Sequence, residues 1–218
     1  MNSSRYFFRR QIVLVGFSAS LLLAAACSKS GKPKRQPLDK EATLLCLGDS
    51  LTYGYGAPAD AAYPVQLEQL TGHVCQNAGV NGDTAEGALA RLPALLEQGK
   101  PGLVLVSIGG NDFLRRLPLS RTQAALTQIV KAAGLTASVV LIAQPRPVLM
   151  ASAARSLEDH PAYAEVASST GTALFAEGWS HVLSRAALRS DQIHANAQGY
   201  RVFAERLAEW LREQRYVF

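Results

Sequence analysis

Residues that bind metals are scarce in this chain. It has three cysteines and four histidines in 218 residues. None of them falls into the close paired spacing that a structural zinc site requires, so no metal and no other cofactor is expected. Charge is also modest, at 18% against 48% hydrophobic residues, which excludes wholesale disorder. The sequence has no long internal apolar run, no repeat and no sign of a second domain. Its pI near 9.3 is misleading about partners. Residues 1–40 hold eight basic residues against one acid, which leaves 14 basic and 16 acidic groups, a net of −2, in residues 41–218. The folded part therefore has no basic excess with which to hold nucleic acid.

The basic residues and the one uncharged run sit together at the start. Arg5, Arg9 and Arg10 precede "QIVLVGFSASLLLAAA", which is short for a stable membrane span and closes on small residues. Cys27 follows Ala24-Ala25-Ala26, and this stretch resembles a bacterial lipobox, although Ala24 stands where Leu is usual. The resemblance implies a signal peptide over 1–26 and a lipid on Cys27. Ser28, rather than an acidic residue, implies onward transfer to the outer membrane, on its periplasmic face. The other reading is an ordinary secretory signal cut at the same small residues. Residues 27–41, "CSKSGKPKRQPLDKE", read as a flexible basic tether that would also lie against anionic headgroups. Residues 42–218 form the folded domain. Cys46 and Cys75 lie in apolar strand-like runs, where a free thiol packs as a small hydrophobe. An exported domain also permits a disulfide between them, and spacing alone leaves the two readings open.

In the domain, strand-like and helix-like segments alternate. "TLLCLG" (43–48), "HVCQNAG" (73–79), "GLVLVSI" (102–108), "SVVLIAQ" (138–144) and the weaker "TALFAE" (172–177) read as strands. "YPVQLEQL" reads as a short helix between the first two. "TAEGALARLPALLEQ" (84–98) has helical spacing, with Asp83 as its expected N-cap. "TQAALTQIVKAAG" is helical, "SAARSLEDHPAYAEVASSTG" holds one or two helices broken at Pro161, and "AQGYRVFAERLAEWLRE" closes the chain as an amphipathic helix. Alternation of this kind implies right-handed crossovers and a three-layer α/β/α sandwich around a mostly parallel five-stranded sheet, flavodoxin-like in type.

In such a sheet, ligands bind beyond the carboxyl ends of the strands. Three consecutive strand ends carry small and polar residues: "GDS" at 48–50, "NAGVNGDT" at 77–84 and "GGND" at 109–112. One such loop would be an ordinary turn; three together point to a shared site. Near the end, "RSDQIHANAQGY" places Asp191 and His194 three residues apart. That spacing lets a carboxylate hold the imidazole Nδ1 and leaves Nε2 to face a serine. His73, His160 and His181 lack such a companion and are expected to be structural or solvent-exposed.

Together these four blocks resemble, in order, those of the SGNH or GDSL hydrolase family, from about residue 43 to the C-terminus. The closest flavour is the bacterial arylesterase, thioesterase and lysophospholipase subgroup, on "GDSLTYGYGAPADAAYP" and "ARLPALLEQGKP". The resemblance implies Ser50 as nucleophile, His194 as base and Asp191 as its orienting acid. It implies an oxyanion hole made by the N–H groups of Ser50 and Gly82 and the side-chain amide of Asn111. Asp49 is read as a hydrogen bonder that fixes the loop. Two positions depart from the family pattern: Ala195 replaces a common Pro, and Phe113 replaces a frequent Gly. No Gly-x-Ser-x-Gly elbow is present, which excludes the α/β-hydrolase reading.

The function implied is hydrolysis of small acyl esters, thioesters or lysophospholipids by a membrane-anchored monomer. Phe113, Leu114 and Leu117, with Leu119, Val148, Leu149 and Met150, are candidate acyl contacts; the alternative for all of them is core packing. Two other functions share the same blocks: an O-acetylesterase acting on envelope polysaccharide or peptidoglycan, and a non-catalytic binding lipoprotein. A sugar site would want an aromatic platform, and Trp179 and Trp210 are the only tryptophans.

Overall fold

The structure is a computed structural model, and it describes residues 36–147 and 156–218. The signal peptide, Cys27 and most of the tether lie outside the described residues, as do Val148, Leu149 and Met150.

Five strands make one parallel sheet: β1 (Leu44–Gly48), β2 (Cys75–Gly79), β3 (Leu103–Ser107), β4 (Ser138–Ile142) and β5 (Ala173–Phe175), in the order β2-β1-β3-β4-β5. Every pairing is parallel, so the sheet is wholly rather than mostly so. The two central apolar runs, β1 and β3, are buried along their whole length, which is why their sequences do not alternate. β2 lies at an edge and carries Gln76 and Asn77.

Helices cover both faces. On one, α2 (Tyr63–Thr71), α7 (Gly178–Leu183) and α8 (Ala197–Glu213) pack over Leu44 and Cys46 with an aromatic group of Tyr63, Trp179, Tyr200 and Phe203. Trp179 stacks on Phe203 with ring centroids 3.6 Å apart. On the other face, α3 (Ala85–Gly99), α5 (Leu119–Ala133) and α6 (Ala162–Thr170) cover Leu45, Leu47, Val104 and Val106. Successive strand residues point to opposite faces, so one apolar strand feeds two cores.

Some local expectations need correction. Thr84, not Asp83, caps α3: its side chain accepts the Gly87 N–H, while the Asp83 carboxylate is taken by Arg91 at 2.9 Å. Among the described residues no helix leads into Pro161, which instead starts one. It stands at the N-cap of α6 with φ −62°, a value its ring already fixes. The short helix α7 had no expectation attached to it. Cys46 and Cys75 are both free and buried. Hydrogen bonding between the two thiols, with burial added, pushes Cys75 far above the usual thiol range.

Two short helices complete the site end of the sheet. α1 (Ser50–Tyr53) follows β1, and α4 (Gly110–Leu114) follows β3. α1 lies so close on the end of β2 that a Cβ at Gly79 would overlap the Tyr53 nitrogen and come within 2.6 Å of the Thr52 carbonyl carbon. Only glycine admits that approach. The chain leaves β1 toward β2 and later crosses back to β3, so the loops after β1 and β3 diverge and open a crevice between them.

Candidate active site

Ser50 is the first residue of α1. Asp49 precedes it as the helix N-cap, and its Oδ1 accepts the Leu51 N–H at 3.0 Å. A buried strand therefore delivers the serine, and a capped turn stops the strand there. His194 and Asp191 come from the loop before α8. Asp191 Oδ1 accepts the N–H groups of Ile193 and His194, both at 2.8 Å, so the loop folds around its own carboxylate. The second oxygen, Oδ2, accepts His194 Nδ1 at 2.7 Å. On the far side of the ring, His194 Nε2 lies 2.9 Å from Ser50 Oγ. With Nδ1 donating to the carboxylate, Nε2 keeps its lone pair for the serine hydroxyl. Partial burial pushes Asp191 upward, but the hydrogen bonds from His194 and the two N–H groups outweigh it, and the acid is held below the usual carboxylate range. Tyr55 lies against the other side of His194, ring centroids 4.6 Å apart, and is anchored by Tyr200 Oη donating to its carbonyl at 2.7 Å.

The loops after β2 and β3 meet each other at the same end of the sheet as Ser50. Gly82 has φ +74°, a left-handed conformation that side chains rarely adopt. The Gly82 carbonyl accepts Arg115 Nη2 at 2.7 Å. Asn111, in the first turn of α4, gives one of its two side-chain N–H bonds to the Asp83 carbonyl at 3.0 Å. Arg91 reaches across from α3, pairing with Asp83 and donating to the Gly48 carbonyl at 2.9 Å. Asp112 points inward instead, accepting from Ala85 N–H and Thr122 Oγ1, and burial raises its pKa.

The expected site residues thus fall into two groups. Ser50, Asp191 and His194 form one hydrogen-bonded line, and the Gly82 and Asn111 loops are tied to each other and to the Gly48 end of β1. Phe113 stacks on His160, centroids 3.9 Å apart and ring planes nearly parallel, and sits partly buried against the second core. Leu114 is exposed and Leu117 half-buried. His73 is buried against the Ala42 carbonyl, and His181 lies beside Arg185. Trp179 is fully buried, with Nε1 donating to Ser107 Oγ at 3.0 Å. Trp210 packs partly buried against Phe175.

Asp49 is more constrained than the sequence suggests. It is 2% exposed, and burial pushes its carboxyl up to about 6, against the lowering effect of its bonds to Gln144 and Leu51. Neither Gln144 nor Arg91 was singled out in the sequence. The signal for Gln144 was its position: like the polar groups after β1 and β3, it closes an apolar strand run.

The profile of the GDSL-like Lipase/Acylhydrolase family matches residues 46–202. Thioesterase 1/protease 1/lysophospholipase L1 of Escherichia coli K12 is 48% identical over 93 residues, which is 41% of this chain and 44% of that protein. An arylesterase of Vibrio mimicus is 36% identical over 110 residues, covering 47% of this chain and 55% of its own. The chain therefore matches about half the length of these curated relatives. The crystal structure of the psychrotrophic esterase EstA from Pseudoalteromonas sp. superposes with a TM-score of 0.69 at 26% identity, over 79% of this chain and 98% of that one. Its order of blocks and its sheet agree with this match over residues 46–202, and the chain belongs to the GDSL-like lipase/acylhydrolase family.

Proposed function

We propose that the protein is a serine esterase that hydrolyses carboxylic acyl esters or thioesters. The observation that carries this reading is the continuous line Asp191–His194–Ser50, with links of 2.7 and 2.9 Å. Ser50 Oγ attacks the acyl carbonyl while His194 Nε2 takes its proton. The negative oxygen of the tetrahedral intermediate is received by the N–H groups of Ser50 and Gly82 and by the N–H of Asn111 that does not face Asp83. His194 then protonates the leaving alcohol or thiol. A water molecule repeats the sequence on the acyl-serine and releases the acid.

Exposed apolar side chains on the loops around Ser50 favour an acyl substrate with a hydrocarbon part. Tyr53, Tyr55, Val80, Leu114 and Ile193 are all more than two-fifths exposed. The names of the relatives point the same way, toward thioesters, aryl esters and lysophospholipids. The burial of Trp179 and the packing of Trp210 give no support to a sugar platform. A panel of nitrophenyl esters of increasing chain length, with an acyl thioester and a lysophospholipid, tests the reading, and absence of turnover on all of them would overturn it.

Phe113 is proposed as a wall of the acyl groove, stacked on His160 rather than free to turn. Phe113→Gly is expected to raise the octanoate-to-acetate ratio of kcat/KM by about tenfold, within the range that a few methylene contacts are worth. A lower melting temperature with an unchanged ratio would assign the ring to packing alone.

Export and lipid attachment at Cys27 are proposed on the sequence alone. Cys27→Ala expressed in a bacterial host is expected to leave the membrane fraction. A variant that still pellets with membranes at high salt would refute the anchor, whereas salt release of it would credit the basic tether.

A further inference from the structure

Two of the loops described above converge on one buried side chain. Gln144 follows β4 and is 1% exposed. Its Oε1 accepts the Gly110 N–H at 2.6 Å, and its Nε2 donates to Asp49 Oδ2 at 2.9 Å and reaches Ser107 Oγ at 3.4 Å. Asp49 immediately precedes Ser50, and Gly110 immediately precedes Asn111. Its backbone is fixed as well, since the Gln144 carbonyl accepts the His160 N–H at 2.9 Å. A primary amide accepts at one atom and donates at the other, and here it spends one on each loop. Ser107 is held in turn by Trp179, so the far side of the bridge is also rigid.

We propose that Gln144 is a positioning residue for acyl transfer: by bridging Asp49 and Gly110 it sets where Ser50 stands relative to Asn111. The inference rests on the esterase reading above. Gln144 lies behind both loops, so its effect falls on kcat rather than on binding. Donor and acceptor polarity is the essential feature. Asp49 offers only acceptors when ionised, and its other oxygen is committed to Leu51. The charged groups that act on it are His194 and Asp83, with the phenols of Tyr163 and Tyr200 nearby. None of these replaces the donor that Gln144 supplies on Asp49 Oδ2.

That polarity can be reversed by design. Gln144→Glu, when ionised, sets two carboxylates against each other and loses the donor. When protonated, it donates to Asp49 and still accepts from Gly110. Asp49→Asn alone sets amide donor against amide donor. In the double variant both loop bonds are remade, and only the long donation to Ser107 Oγ is lost. The amide introduced at position 49 keeps its oxygen for Leu51 and donates to the carboxylate introduced at position 144, which also accepts from Gly110.

The test uses the full chain and 4-nitrophenyl butyrate, with kcat and KM followed across pH and melting temperature measured on each variant. At about pH 8, Q144E is expected to lose roughly ten- to hundredfold in kcat with KM little changed, as befits a small displacement of reacting groups. Its activity relative to wild type should rise as pH falls. The double variant should lose far less than the product of the two single losses, and above about pH 7, where wild-type Asp49 is ionised, its ratio to wild type should be flat with pH. Losses that multiply in the double variant, or a Q144E ratio that ignores pH while melting temperature falls, would reduce Gln144 to a structural role. If Q144E alone does not fold, the double variant decides: folded and active supports the bridge, while folded and inactive, or unfolded, overturns it. Wild type without turnover would instead remove the esterase reading and the inference with it.

Discussion

Ser50→Ala is expected to abolish ester turnover and leave the fold intact. The hydroxyl makes one side-chain contact, the 2.9 Å bond to His194, so its removal should cost the fold about 1 kcal/mol at most. Asp49 caps α1 with or without it, and the strand beneath is buried on both faces. Among the described residues, Ser50 is the hydroxyl that His194 Nε2 holds. Removing the serine of a triad typically lowers kcat by several powers of ten, and what remains comes from the oxyanion site and binding. The measurement is kcat/KM on a short nitrophenyl ester beside the urea midpoint. Turnover above about a hundredth of wild type would mean that another group attacks the carbonyl.

The second large effect is expected at Asp191, through a change that preserves its shape. Asp191→Asn keeps an oxygen for the N–H groups of Ile193 and His194, which hold the loop at 2.8 Å. It replaces the other oxygen with a donor facing His194 Nδ1. The imidazole can then accept at Nδ1 only by moving its proton to Nε2, and Nε2 no longer has a lone pair for Ser50. The loss expected is on the order of ten-thousandfold in kcat, the scale known for the same exchange in a serine protease. The melting temperature should change little, because the loop bonds survive. Since Asp191 is held below the usual carboxylate range, the wild type keeps the ionised acid that orients His194 as pH falls toward that range, and its own acid-side loss of activity should not come from Asp191. A variant within about tenfold of wild type would show that His194 is oriented by something else.

The ends of the strands were legible because their chemistry is local. The blocks at Ser50 and Asn111 each close a buried apolar run, the Gly82 block follows an edge strand in a glycine-rich turn, and Asp191 and His194 are near neighbours in sequence. What was not legible depends on distant partners. Gln144 meets Asp49 across 95 positions and Gly110 across 34, and a polar residue ending a strand does not reveal which loop it ties. The choice of Thr84 over Asp83 as a cap was settled by Arg91, eight residues further on. The face that Phe113 presents depended on His160, from the far side of β4. Periodicity found the long helices because they bury one stripe, whereas α7, at six residues, is too short to establish a period.

The two ends of the folded domain meet. Leu38 N–H donates to the Tyr216 carbonyl at 2.9 Å, and the Leu38 side chain reaches to within 3.2 Å of where a Cβ on Gly102 would stand, at the amino-terminal edge of the sheet. Ser50 lies at the opposite edge, a full strand of roughly 16 Å away. A short peptide joining these ends would therefore close the chain into a ring without crossing the crevice, and new ends could be opened in an exposed turn elsewhere. For the same reason, a surface or fusion partner attached ahead of Leu38 holds the molecule by its base, with the mouth of the crevice turned outward.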